Sequence, residues 1–257
     1  MVRPARAATP PRRRTGAAKP ASPAAVRAAA APPGGGTRLT RERIVAAALG
    51  VVAAGGLAGL STRKLGQALG CEAMSVYHHF PSKRHLLDAL VDAAIGSVQP
   101  PASDLPALDR LRHQAYAYRA MAHRHRQLYP LIAVHRLNTP TGVRLLERTL
   151  GIVAELTPDA EAAARFFRAF AYYVTGAALD ETAGYARGPT AAEPVSDEFI
   201  ARECPHLAAA APYAKPEHWD RTFALGLDAL LGRLAATAER HAGDAASLPK
   251  PVIHPKR

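Results

Sequence analysis

Residues 61–90 read STRKLGQALGCEAMSVYHHFPSKRHLLDAL. Ser61 is placed to cap a helix running from Thr62 to Leu69, with Leu65, Ala68 and Leu69 turned inward. Gly70 suits the left-handed residue that closes such a helix, and Cys71 follows it in the turn as a small packing side chain. Glu72 to His79 read as a second short helix, with Val76 and Phe80 four apart on its inner side. Pro81 stops it, and Ser82 caps a third helix with Lys83 and Arg84 in its first turn. Cations at a helix N-terminus oppose its dipole and become favourable when a phosphate sits there. Leu86, Leu87, Leu90, Val91, Ala94 and Ile95 form an apolar stripe along the third helix, which ends near Val98. Two short helices across a tight turn, followed by a longer one, are the layout that lays one helix into a groove of DNA.

Upstream, Thr40 caps a helix from Arg41 to Ala54, and Ile44, Ala47, Ala48, Val51 and Val52 form its apolar face. Gly55 and Gly56 end it. Residues 1–38 are rich in Pro, Ala, Gly and Arg, show no hydrophobic periodicity and read as a disordered basic arm. The formal net charge is +12. The arm holds eight basic residues and no acid, so only four of those twelve excess charges belong to the remaining chain. The arm either attracts phosphates without sequence preference or is a solvated tail.

At this point LSTRKLGQALGCEAMSVYHHFPSKRHLLDAL resembles the DNA-binding domain of the TetR (tetracycline repressor) family, without gaps over about residues 40–95. The resemblance implies an all-α fold: a three-helix helix-turn-helix DNA-binding domain at 39–98, then a helical effector-binding and dimerisation domain at 102–242, with a flexible tail at 243–257. It places Thr62, Tyr77 and Lys83 at phosphate-contacting positions and Arg63 where a guanine edge can be reached. Ala73, Met74 and Ser75 match the base-reading positions of the recognition helix, and His79 a further contact. Hydroxyls and ammonium groups are ordinary phosphate donors, Arg is the commonest guanine reader, and small apolar groups suit the thymine methyl. A two-fold dimer would set two recognition helices about 34–36 Å apart on a near-palindromic operator.

Beyond Pro100-Pro101 the pattern stays helical, with helices expected at about 104–123, 126–135, 141–155, 159–184, 196–210 and 217–242. Thr139-Pro140 and Thr157-Pro158 each place a capping residue before a proline at the first helical position. Residues 186–197 read as a mobile loop. Two apolar stripes are candidates for the four-helix dimer interface that the family implies, the alternative being that they face their own core. They are Ala163, Phe166, Phe167, Phe170, Tyr173, Val174 and Ala177, and Phe223, Leu227, Leu230, Leu231 and Leu234. Tyr118, Leu128, Phe167, Phe170, Tyr173 and Trp219 are candidate walls of an effector pocket, or simply core. IAVHRLNTP (132–140) and YYVTGAALDETAGY (172–185) resemble stretches of the tetracycline repressor that hold a drug-bound magnesium. On that resemblance His135 is a ligand and Asp180 acts through water from the partner subunit. The plainer reading, and the favoured one, is that His135 is a hydrogen-bonded core histidine. Asn138 and Gln99 depart from the drug-binding pattern. The expectation is no structural cofactor, with Mg²⁺ only as part of a chelated effector.

Two cysteines without ligand or disulfide spacing, no secretory h-region and no apolar run of membrane length predict a cytoplasmic protein. The expected partners are double-stranded DNA, a small-molecule effector and a second copy of the chain. An enzyme has little support: GxSxG, P-loop, Rossmann and HExxH patterns are absent, and His123 and His125 diverge on a helix. A non-specific DNA-architectural protein driven by the basic arm is the other reading.

Overall fold

The computed structural model describes residues 38–135, 137–183 and 191–247, with side chains through His241. The basic arm before Arg38, part of the expected loop at 186–197 and the last ten residues of the tail lie outside the described residues. The described residues carry ten α-helices and no strand. The described residues from Leu39 onward form one compact unit.

Helix α1 (Arg41–Gly55) begins at Thr40, whose hydroxyl accepts from the Arg43 amide at 3.3 Å, and ends where Gly56 adopts φ 66°. Helix α2 (Thr62–Leu69) is capped by Ser61 on the Lys64 amide at 3.2 Å. Gly70 is left-handed, and the Cys71 amide reaches back to the Gly66 carbonyl at 3.0 Å. That bond turns the chain sharply under α2. Helix α3 (Lys83–Gly96) is capped by Ser82 on the His85 amide. Three sequence-visible caps and one glycine stop thus set the spacing of the helix-turn-helix.

Between α2 and α3 the expected second helix is shorter than predicted. Ala73–Val76 is a 3₁₀ turn, and Tyr77–His79 continue as turns. So few residues form too little hydrogen-bonded ladder to offset helix nucleation. Val76 and Phe80 still anchor the segment, at 2% and 1% exposure. Ala68 is exposed, against expectation. The buried arc of α2 is centred between Leu65, Leu69 and Gly66, and Ala68 lies about 100° away around the helix.

The remaining elements are α4 (Ala107–Arg124), α5 (Tyr129–Val134), α6 (Pro140–Ala154), α7 (Ala160–Ala183), α8 (Asp197–Glu203), α9 (Pro205–Ala210) and α10 (Trp219–Ser247). Thr139 caps α6 on the Gly142 amide at 3.1 Å, as its place before Pro140 predicts. Thr157 does not cap α7. Its hydroxyl donates back to the Val153 carbonyl, and Asp159 caps instead, accepting from the Ala162 amide at 2.8 Å. The helix expected at 196–210 breaks at Cys204, because Pro205 pushes the preceding residue out of the helical region. The expected 126–135 helix narrows to six residues, and α10 runs five residues beyond its expected end.

One buried cluster begins with Ile44, Leu65, Val76, Phe80 and Leu90 and continues through Val98 to Met121, Tyr129, Ile132 and Leu145. α3 therefore belongs to the packing of both the helix-turn-helix and the helices that follow. A second cluster joins Leu111 and Ala115 of α4, Ile152 and Val153 of α6, Phe170 and Val174 of α7, and Phe223, Leu227, Leu231 and Leu234 of α10. This corrects the interface expectation for the two apolar stripes. Most of their residues fill the interior of their own subunit, because α4 and α6 also need that surface covered. The large apolar side chains left uncovered on these helices are Tyr172 and Leu225, 67% and 74% exposed. No helix among the described residues is long and apolar enough to cross a membrane.

Candidate nucleic-acid interface and effector cavity

Ser61 and Thr62 open α2, and Ser82 and Lys83 open α3. Both helix starts border one surface recess of about 250 Å³, together with Tyr77, Val76 and Phe80. The structure thus brings Thr62, Tyr77 and Lys83, far apart in sequence, around a single hollow. The two helix N-termini supply partial positive charge there, and Lys83 adds a full one. The hollow's chemistry suits a phosphate oxygen.

Beside it, Arg63 is exposed on α2. Of the expected base readers, Met74 is the one presented outright, 65% exposed, whereas Ala73 and Ser75 are half-buried. Tyr77 is 40% exposed. His79 is half-buried, and its carbonyl accepts from the Arg41 guanidinium, which also stacks 4.1 Å above the Phe80 ring. Arg41 carried no sequence signal beyond its place after a cap. Its role exists only because α1 crosses the end of the recognition segment.

Gly66 was also missed. A Cβ there would sit 2.8 Å from the Cys71 carbonyl oxygen and 3.2 Å from the Ala73 nitrogen. The backbone after the turn therefore passes directly across α2, and only glycine allows that approach. A glycine inside an otherwise helical run was the available hint.

A second cavity, of about 100 Å³, lies among α4, α6 and α7. Tyr118, Phe167 and Phe170 line it, joined by Gln114, Leu137, Leu145, Leu146, Thr149 and Thr175. Among the described lining residues there is no acid, lysine, arginine or histidine. Burial pushes the Tyr118 phenol up from its ordinary value, so it stays neutral. Tyr129 packs edge-on against it, ring centroids 6.1 Å apart. Gln114 is 3% exposed, and its Oε1 accepts from Arg148 Nε at 3.4 Å, which turns the amide NH₂ away from that contact.

The remaining effector candidates sit elsewhere. Leu128 is fully buried outside the cavity lining. Tyr173 stacks on Phe223, donates to the Phe223 carbonyl at 2.7 Å and borders a different recess with Asp180 and Trp219. Asp180 is exposed there. His135, at the end of α5, lies 3.6 Å from Asp88 of α3 and does not line the cavity. Within one subunit, then, His135 and Asp180 do not meet. Among the described residues no group of three or more His, Cys, Asp or Glu is placed to hold a metal ion. Gln99, at the end of the first half, is exposed.

Comparison with known proteins agrees with this division of labour. Residues 44–90 match the family model described as bacterial regulatory proteins, tetR family, and residues 101–237 match tetracyclin repressor-like, C-terminal domain. An HTH-type transcriptional regulator of Saccharopolyspora erythraea is 31% identical over 215 residues, which is 78% of this chain and 86% of that one. The class A tetracycline repressor from transposon 1721 of Escherichia coli is 30% identical over 151 residues, covering 58% of this chain and 69% of the repressor. Among solved structures, the TetR family protein ActR of Streptomyces coelicolor, in complex with actinorhodin, superposes with a TM-score of 0.63 at 29% identity, covering 78% of this chain and 99% of ActR. Matched in both its DNA-facing and its cavity-bearing half, the chain belongs to the TetR family of bacterial regulatory proteins.

Proposed function

We propose that the protein is a ligand-responsive transcriptional repressor that binds a near-palindromic operator as a homodimer and is released by a small molecule held in the α4–α6–α7 cavity. The convergence of Thr62, Tyr77 and Lys83 on one hollow between two helix N-termini carries this reading. Phosphates held there would fix the register, and Met74, Ala73, Ser75 and Arg63 would then face base edges. As a DNA-binding regulator the protein acts in the cytoplasm, with the chromosome.

The effector that suits the cavity is uncharged and mostly apolar, with a hydrogen-bonding group for Gln114. No charged side chain is among the described lining residues to balance a formal charge. ActR, bound to actinorhodin, shows that this fold can hold an organic ligand.

Fluorescence polarisation with the DNA flanking its own gene tests the repressor reading at physiological salt. Lys83→Ala should weaken binding to all sequences and reduce the salt slope by about two, one for each subunit of the dimer. Met74→Ala should instead change which sequence is preferred. Were no fragment bound specifically, or were deletion of residues 1–38 to abolish all binding, the basic-arm reading would replace this one.

A further inference from the structure

We infer that Asp92 is a positioning residue that latches the wall of the effector cavity to the helix carrying the phosphate contacts. The inference rests on the repressor reading above and adds a regulatory contact to it.

Asp92 lies mid-way along α3, half-buried. One carboxylate oxygen accepts from the Thr139 hydroxyl, and the other accepts from the Thr141 hydroxyl at 3.0 Å. Thr139 is at the same time the cap of α6. One turn earlier on α3, Asp88 faces His135 at 3.6 Å. Asp88 and Asp92 are four apart and share a face, so α3 grips the α5–α6 connection near both its ends.

The same connection touches the cavity. Among the described lining residues, Leu137 alone is not on a helix. A Cβ on Gly142 would sit 2.9 Å from the Leu137 Cβ and 3.1 Å from its carbonyl carbon. Leu137 is therefore seated against the first turn of α6, and it cannot move without disturbing Thr139 and Thr141. On the other side, a Cβ at Gly96 would meet the Thr141 methyl at 3.5 Å, an ordinary contact distance, so α3 and the start of α6 lie close there. A cavity of about 100 Å³ holds little more than one small ring. A larger effector must displace part of the lining, and the connection bearing Leu137 yields before a packed helix does.

The lever is α3 itself. Nine residues separate Asp92 from Lys83, about 13 Å of helix, so a tilt of roughly 10° at Asp92 moves Lys83 by about 2 Å. Hydrogen bonds to phosphate do not survive such a shift. In the empty state the latch holds α3 with Lys83 at the hollow it shares with Thr62 and Tyr77. Displacing Leu137 strains the two threonine contacts and lets α3 swing.

The test needs no effector. Full-length protein carrying Asp92→Asn, Thr141→Val, both together, or Thr141→Ser is titrated against the DNA flanking its own gene across a salt series. Each of the first two should weaken binding roughly three- to tenfold, and the double variant should be no weaker than the weaker single, because one contact is lost in all three. The salt slope should stay that of the wild type. Thr141→Ser keeps the hydroxyl and should bind as the wild type does, which separates the latch from loss of the methyl or of folding. Unchanged affinity in Thr141→Val, multiplicative loss in the double variant, or loss in Thr141→Ser equal to that in Thr141→Val would each overturn the latch. If the wild type binds no fragment, the repressor reading fails first and the latch falls with it.

Discussion

Gly66→Ala should yield a folded protein that has lost specific operator binding. Two effects compete. Alanine is favoured over glycine in a helix by about 1 kcal/mol. Against this, the new methyl would lie 2.8 Å from the Cys71 carbonyl oxygen and 3.2–3.3 Å from the Ala73 backbone. The obstructing atoms are main chain, so no rotamer change relieves the clash. Overpacking of this kind costs about 1–3 kcal/mol. The net loss of stability is then modest, about 0–2 kcal/mol, small beside the roughly 5–15 kcal/mol that holds a domain together. Binding suffers more, because the relief must come from moving Cys71 to Ser75 away from α2. That displaces Met74 and Ser75 relative to Thr62 and Lys83, and base contacts fail when phosphate contacts no longer set their distance. Circular dichroism should show a melting curve near that of the wild type. Polarisation with the flanking DNA should show residual, salt-sensitive binding without sequence preference. Full retention of specific affinity would refute the role given to Gly66.

Arg119→Ala should be the most destabilising single substitution outside the hydrophobic clusters. Arg119 and Glu181 are 8% and 7% exposed, and Arg119 Nε donates to Glu181 Oε2 at 2.7 Å. Arg119 Nη1 also donates to Asp220 Oδ1 at 2.8 Å, its guanidinium lies 4.7 Å from the Phe223 ring centre, and His123 Nε2 pairs with the same Glu181 oxygen. The group ties α4, α7 and the start of α10 together. Asp220 is 89% exposed and remains solvated without a partner, so the contact with it is worth little. Glu181 is different. Without Arg119 it keeps only His123, and a buried carboxylate stripped of its main partner costs about 3–5 kcal/mol. For a unit of this size that is a fall in Tm of roughly 10 °C. The pair need not stabilise the fold relative to an apolar replacement, since desolvating both ions offsets much of their attraction. Arg119→Met combined with Glu181→Leu should therefore melt far closer to the wild type than Arg119→Ala alone. A melting temperature of Arg119→Ala within about 2 °C of the wild type would show that water reaches Glu181 and that it is not effectively buried.

Much of the DNA-facing half was legible along the chain. Thr40, Ser61 and Ser82 signal their caps by type and place, Gly70 its left-handed turn, and Val76 and Phe80 their inward face. These are local effects, governed by the hydrogen bonds and dihedral limits of a few adjacent residues. The length of the recognition helix was not legible. Eight helix-compatible residues became a four-residue 3₁₀ turn once Phe80 was anchored and Gly70 had set the entry angle. Arg41 and Gly66 were invisible for a related reason, since each acts on residues that the fold, and not the sequence, brings beside it.

The effector half divides the same way. Periodicity put Tyr118 and Phe170 inward but could not say whether an inward face meets another helix or a cavity. The stripes of α7 and α10 read as partner-facing because apolar periodicity reports only that a surface leaves water, not what covers it. α4 and α6 cover them, which leaves Tyr172 and Leu225 outside. His135 stood in a segment resembling a metal-binding one. Its partner, Asp88, is 47 positions away and was decided by how α3 packs on the α5–α6 connection. The sequence by itself determined the all-helical class and most of the helix starts, because caps, turns and periodicity act within a few residues; which residues face DNA rested on the resemblance alone. The tertiary structure alone decided that Thr62, Tyr77 and Lys83 share one hollow, that the described lining of the cavity is uncharged and that Asp92 grips its wall. Those facts depend on helix crossings, which long-range packing selects and no local pattern encodes.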